Sequence, residues 1–164
     1  CADNLIPFAL LKPEQEEVDL WCETMLGNMD FYDLIQASGN QYEVPSVKNI
    51  GDFQGGTLWK GKADIVSKDY IIDLKTSSDI TKFKSSIYNY NYDSQGYIYR
   101  ELFGKPILFL VIDKQTKVLG MFSLSEETYE RGKEKVEQAL EVYKKFFSED
   151  RVSDIDLYYI KKTI

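Results

Sequence analysis

Histidine is absent from this 164-residue chain, and that absence removes whole classes of chemistry. Ser-His hydrolases, histidine-metal nucleases and His-ligated zinc sites are all excluded. Cysteine is scarce: Cys1 and Cys22 are too few for a disulfide framework, and the chain fits a reducing, cytoplasmic setting. Long apolar runs are missing too. The longest, such as Ile107 to Ile112, fall far short of the roughly 20 residues a spanning helix needs, so no membrane partner is expected, and no signal peptide is visible. There are no internal repeats, low-complexity tracts or Pro/Ser linkers. Positive charge is in deficit, at 20 Lys+Arg against 27 Asp+Glu for a net charge of -7. That counts against nucleic-acid binding, which usually draws on a basic surface.

What is present reads as one globular domain over residues 1–164, with 43% hydrophobic and 29% charged residues. The chain opens at Cys1 without an initiator Met, which allows for a piece of a longer protein. Its charge is unevenly spread. Residues 1–57 carry two basic against ten acidic residues, residues 58–117 ten against seven, and residues 118–164 eight against ten. The middle third is the only net-positive one, and Lys60, Lys62, Lys82, Lys84, Arg100 and Lys105 lie within it as candidate phosphate contacts.

Periodicity predicts a helix from Pro13 to Gly27, with Val18, Trp21, Cys22, Met25 and Leu26 at helical spacing. A shorter helix is expected from about Met29 to Ala37, then extended chain over Tyr42 to Val47 and a turn through Gly51 and Gly55-Gly56. Strands follow over Thr57 to Val66 and Tyr70 to Lys75, separated by Ser67-Lys68-Asp69 as a hairpin. A capped short helix from Ser78 to Ile87 precedes the tyrosine-rich Tyr88 to Tyr92, which either packs a loop or offers a stacking platform for bases. The next helix takes Asp93 as N-cap and Gly104 as its C-terminal glycine. Strands at Ile107 to Asp113 and Val118 to Leu124 form an antiparallel pair. A long helix, Ser125 to Phe147, carries the stripe Tyr129, Val136, Leu140, Tyr143 and Phe147. The tail Asp154 to Ile164 could add a strand or dock on a neighbour. This order predicts an α/β fold with a mixed central sheet flanked by helices.

The chemistry concentrates on the motif hairpin. Asp64 closes Gly61-Lys62-Ala63-Asp64, and Asp73-Leu74-Lys75 lies on the next strand. Strand alternation puts Asp73 and Lys75 on one face and Leu74 on the other. Two carboxylates with a nearby ammonium make a hard-cation site, which suits Mg²⁺ (or Mn²⁺), with the Leu74 backbone carbonyl as a further oxygen donor. Metal-activated water is the main hydrolytic route left to a chain without histidine, and Lys75 could orient that water or neutralise a pentacovalent phosphate. Taken alone, Asp-x-Lys is common on solvated strands, but Ile71, Ile72 and Leu74 set these charges beside a core, where unpaired charge is costly. Downstream, Gln95 and Tyr99 are four residues apart and share a helical face. They could contact DNA or support the metal site, or Tyr99 could pack with Leu102 and Phe103.

Gly61-Lys62-Ala63-Asp64, Asp73-Leu74-Lys75-Thr76-Ser77 and Gln95-x-x-x-Tyr99, in that order, resemble the PD-(D/E)xK nuclease superfamily. The branch they are most similar to is that of the phage and prophage exonucleases like RecE, related to the RecB nuclease domain and more distantly to lambda exonuclease. The likeness covers roughly Leu58 to Phe147, a motif core of about residues 57–147. It implies a restriction-endonuclease-like core, with Asp64 and Asp73 as metal ligands and Lys75 as the catalytic lysine. Gln95, Tyr99, Lys62, Lys82 and Lys84 would serve DNA binding or site support. Ala63 stands where a proline often precedes the first aspartate. The upstream acid or histidine of such sites would here be Glu23 or Glu43; Glu14, Glu16 and Glu17 read as a first turn favoured by the helix dipole.

The function implied is a Mg²⁺-dependent exonuclease acting 5′→3′ on duplex DNA ends in phage-type recombination, in the cytoplasm of a bacterial or phage-infected cell. A ring-shaped homo-oligomer and a single-strand annealing protein are the partners this analogy implies. The alternatives are an endonuclease on the same core, a catalytically inactive nuclease fold that binds DNA or a recombination partner, and an acidic scaffold domain unrelated to DNA.

Overall fold

The structure, a computed structural model, describes residues 11–51, 57–147 and 162. The Gly55-Gly56 turn and, Lys162 aside, the Asp154 to Ile164 tail lie outside them. Two helices come first, α1 (Lys12–Gly27) and α2 (Met29–Ile35), followed by strands β1 (Gln41–Ile50), β2 (Thr57–Val66) and β3 (Ile71–Ser77). A single 3₁₀ turn (Ile80–Lys82) leads into α3 (Phe83–Asn89) and α4 (Tyr92–Phe103). Strands β4 (Ile107–Asp113) and β5 (Leu119–Ser123) and helix α5 (Glu126–Phe146) follow.

The five strands form one mixed sheet in the order β1-β2-β3-β4-β5, parallel at β3–β4 and antiparallel elsewhere. β4 is the most apolar strand because helices cover it on both faces; Ile107, Phe109, Leu110, Val111 and Ile112 are all buried. One face of the sheet (Ile65, Ile72, Leu110, Ile112) packs on Met25, Phe31 and Ile35 of α1 and α2. The other face (Ala63, Ile71, Ile107, Phe109, Val111) packs on Phe83, Ile87 and Tyr129 of α3 and α5. A third cluster joins Ile50 to Tyr97 and Leu102 of α4 and to Val136 and Leu140 of α5. Asp73 and Lys75, in phase with Ile71, face the α3–α4–α5 side.

Most of the helix-end chemistry expected of the sequence is present. Ser125 accepts from Thr128 N–H at 3.3 Å to start α5, as expected, and Asn28, which the sequence does not single out, accepts from Phe31 N–H at 3.1 Å to start α2. Gly104 ends α4 in the left-handed region at φ 72°. The start of α4 differs from expectation: its N-cap is Asn91, at φ 56°, and not Asp93. Asp93 is buried in the first turn, where Arg131 Nε at 2.8 Å and Lys135 Nζ at 2.9 Å hold it to α5. Gly132 lets the two helices meet. A Cβ there would lie 2.2 Å from the Asp93 carbonyl oxygen, so no larger residue fits without moving backbone. The α5 stripe is buried at Tyr129, Val136 and Leu140 but exposed at Tyr143 and Phe147.

Candidate active site

The site forms where β2 leaves β3. Between β1 and β2 nine residue pairs are in register and between β3 and β4 seven, but β2 and β3 share only Ile65↔Ile72 and Val66↔Ile71. The next positions in that ladder are Asp64 and Asp73, and there the strands part. Asp64 fills the gap: its Oδ2 accepts from the Leu74 N–H at 2.9 Å, replacing the strand bond that was lost. A strand residue's N–H and C=O face the same neighbour, so the Leu74 carbonyl looks into the same gap.

β2 also changes phase here. Ala63 packs on the α3–α5 side and Ile65 on the α1–α2 side, although alternate residues should share a face. β1 distorts at the matching place. Glu43, between Tyr42↔Ile65 and Val44↔Ala63, stands across from Asp64 with a left-handed φ of 54°. Such a conformation costs a non-glycine residue roughly 1–3 kcal/mol and is concentrated at functional sites. Tyr99 braces the kink from α4, its hydroxyl donating to the Lys62 carbonyl at 2.8 Å. The ring passes so close to Gly61 that an added Cβ would lie 3.1 Å from its Cε1.

Asp73 is 3% exposed. Gln95 Nε2 donates to its Oδ2 at 2.9 Å, and Lys75 Nζ is ion-paired with Oδ1, which has no conventional hydrogen bond besides. Lys75 Nζ also lies 5.0 Å from the Tyr92 ring centroid and 5.9 Å from that of Phe109. Burial pushes the Asp73 carboxyl above the usual carboxylate range and the neighbouring Asp64 charge adds to it, while Lys75 and Gln95 pull it back only in part. A cation between the two carboxylates would relieve that repulsion. The donors are hard oxygens, as Mg²⁺ or Mn²⁺ requires, and Mg²⁺ usually takes only one or two carboxylates and completes its shell with water. The residues present therefore fit such an ion. Among the described residues no third acidic side chain joins the pair.

The remaining expected residues divide. Glu43 is next to the site, but its carboxylate is paired with Lys62, whose pKa is raised by that bond and by the Glu43 charge. Glu23 is exposed on α1, and nothing joins it to the two aspartates. Gln95 and Tyr99 both reach the site, the one at Asp73 and the other at the Lys62 backbone. Lys82 and Lys84 are exposed beside and on α3, with Lys82 paired to Asp79 at 2.8 Å. Arg100 and Lys105 have internal partners, Glu126 at 2.9 Å and the Ser67 carbonyl respectively. The tyrosine cluster splits: Tyr92 packs against Phe83 and Phe109, Tyr88 carries Arg131 on its ring, and Tyr90 is 67% exposed. Tyr92 under the Lys75 ammonium is the contact the sequence reading missed. Its only signal was an aromatic at the start of the Gln95 helix.

Comparison with known proteins bears on the fold and the family. Residues 29–155 match the model of a family described as a PDDEXK-like domain of unknown function (DUF3799). No curated protein matches the chain. Among solved structures, one named "Putative exonuclease", from Eubacterium rectale, shares the fold at a TM-score of 0.70 and 20% identity, over 96% of this chain. The match spans 66% of that neighbour's length. A second, SSO0001, aligns at a TM-score of 0.42 and 20% identity over 77% of this chain and 58% of its own, too distant to carry an argument. With its mixed sheet, the splayed motif strands and a family model covering well over half its length, the chain belongs to the PDDEXK-like domain family, within the PD-(D/E)xK nuclease superfamily.

Proposed function

We propose that this chain is a metal-dependent deoxyribonuclease that hydrolyses phosphodiester bonds, acting as an exonuclease 5′→3′ from duplex ends. The observation that carries the reading is the meeting of Asp64 and Asp73 at the parted strands, with Lys75 held against Asp73. A bound Mg²⁺ or Mn²⁺ would supply a water of lowered pKa and a Lewis acid for the phosphoryl oxygen. Asp64, Asp73 and the Leu74 carbonyl would hold it, with Glu43 as the nearer of the two upstream candidates, released from Lys62. Lys75 would orient the attacking water and offset charge on the phosphate. Gln95 keeps Asp73 in position, and Tyr99 keeps β2 kinked so that Asp64 faces it. Lys62, Lys82 and Lys84 would meet DNA phosphates. The branch of the family, the place in phage-type recombination, a homo-oligomer around DNA and a single-strand annealing partner belong to the same reading.

The test is digestion of end-labelled linear duplex and closed circular DNA with Mg²⁺ or EDTA. Mg²⁺-dependent loss of the linear substrate alone is expected, with polarity given by the label. Cutting of the circle would move the reading to an endonuclease. Binding without cutting of either would move it to an inactive DNA-binding module.

A further inference from the structure

β3 leads away from the two aspartates into a polar cavity. Asp73, Lys75 and Ser77 follow one another on the same face of the strand, roughly 7 Å apart at each step. Beyond Lys75 opens a cavity of about 440 Å³, between the end of β3, the 3₁₀ turn and α3. Its walls include Ser77, Ser78, Lys82, Ser86, Tyr90 and Tyr92, and neither Asp64 nor Asp73 lines it. Tyr92 is the shared wall, with the Lys75 ammonium 5.0 Å from its ring centre. Tyr90 stands next to it, ring centres 5.9 Å apart, and is 67% exposed.

Hydroxyls along one wall, an exposed aromatic at the mouth and more positive than negative charge are the parts a nucleotide needs. The charged lining groups are Lys82, Lys114 and Asp79, of which Asp79 pairs with Lys82 at 2.8 Å. The volume is within the range of small-ligand sites. Aromatic stacking suits any base, because every base has a π-face.

We propose that this cavity holds the unpaired nucleotide adjoining the scissile phosphate, its base stacked on Tyr90 and its phosphate met by the serine hydroxyls and Lys82. The proposal deepens the nuclease reading and rests on it for the identity of the neighbouring phosphate. It makes Tyr90 a determinant of how far a DNA end must open before it is cut.

The test uses the full chain and a single-stranded oligonucleotide carrying 2-aminopurine at one position at a time, bound in Ca²⁺ to prevent turnover. One position is expected to be quenched in the wild type. Tyr90→Ala should abolish that quench and weaken binding about tenfold, Tyr90→Phe should keep it, and Lys82→Ala should weaken binding without removing it. The exposure of Tyr90 makes a folding defect from either Tyr90 substitution unexpected. An unchanged quench in Tyr90→Ala, no position distinguished from the others, or no binding of the oligonucleotide would each overturn the subsite. Digestion of linear duplex DNA in Mg²⁺ by the same proteins separates the two ideas. Cutting by wild type and Tyr90→Ala alike, with equal quench, sinks the subsite and leaves the nuclease standing. No cutting, with a quench that depends on Tyr90, leaves the subsite and sinks the nuclease.

Discussion

Asp73 is buried at 3% exposure beside a second carboxylate, and in the metal-free chain Lys75 and Gln95 offset only part of the cost. The raised pKa has a definite sign. The folded state binds the Asp73 proton more tightly than the unfolded chain does, so its contribution to stability is present at low pH and lost as pH rises through the folded value. A cation competes with that proton. The rise in melting temperature on adding Mg²⁺ should therefore be full near neutrality and fade as pH falls through the raised Asp73 value. Scanning calorimetry at several pH values checks this, and a Mg²⁺ effect that persists unchanged at acid pH would count against Asp73 as a ligand. Gln95→Ala should lower metal affinity or turnover by about 10-fold to 100-fold, the usual effect of losing a group that orients a metal ligand, with folding intact. These residues were legible in the sequence. Strand alternation put Asp73 and Lys75 together, and the Gln95 helix followed from its flanking Asp93 and Gly104.

The elements around them were legible in kind and order but not in their distortions. Nothing local in Gly61-Lys62-Ala63-Asp64 says that β2 leaves β3 after two residue pairs, or that its phase changes between Ala63 and Ile65. Those depend on Tyr99 and Glu43, residues on other elements. The misassigned cap of α4 has the same origin. Asp93 has the chemistry of an N-cap, but Arg131 and Lys135 draw it into the helix packing from a helix 38 and more residues away. Burial pushes the Asp93 carboxyl up, but bonds from Arg131, Lys135 and the Ser94 N–H outweigh that and hold it below the usual range. Its contribution to stability is present above the ordinary carboxylate range and lost as pH falls through the lowered folded value. Asp93→Ala removes the carboxylate that Arg131 and Lys135 share, leaving them Tyr88 and Asn91 as partners, and should cost about 1.5–3 kcal/mol, read as a lower urea midpoint. Gly132→Ala, pressing on the same contact, should cost about 1–3 kcal/mol by overpacking. Either variant unfolding at the wild-type midpoint would show that α4 and α5 are not locked there.

At the scale of the molecule, the net charge of -7 sets limits on DNA binding. Among the described residues Arg100 and Lys105 are held by other protein groups, which leaves Lys62, once released from Glu43, with Lys82 and Lys84 as the proposed phosphate contacts. About two or three contacts imply a loss of roughly 20-fold in affinity between about 50 and 200 mM salt, far less than a basic DNA-binding surface would show. Fluorescence anisotropy of a labelled duplex in Ca²⁺ measures the slope, and a loss of about a thousandfold would reveal a basic surface not accounted for here. The mixed sheet and its helices were foreseeable from the order of elements, whereas the cavity beyond Lys75 was not. It arises from the 3₁₀ turn and α3 folding back over the end of β3, and its lining serines read in the sequence as ordinary residues of a strand end and a short helix.

The most direct test of the site is the cleavage rate of linear duplex DNA in Mg²⁺ by wild type and Lys75→Ala, with binding in Ca²⁺ measured beside it. The expected result is turnover about 100-fold to 1,000-fold lower in the variant, as for loss of one charge-stabilising group, with DNA still bound. A Lys75→Ala protein that cuts at the wild-type rate would contradict the account.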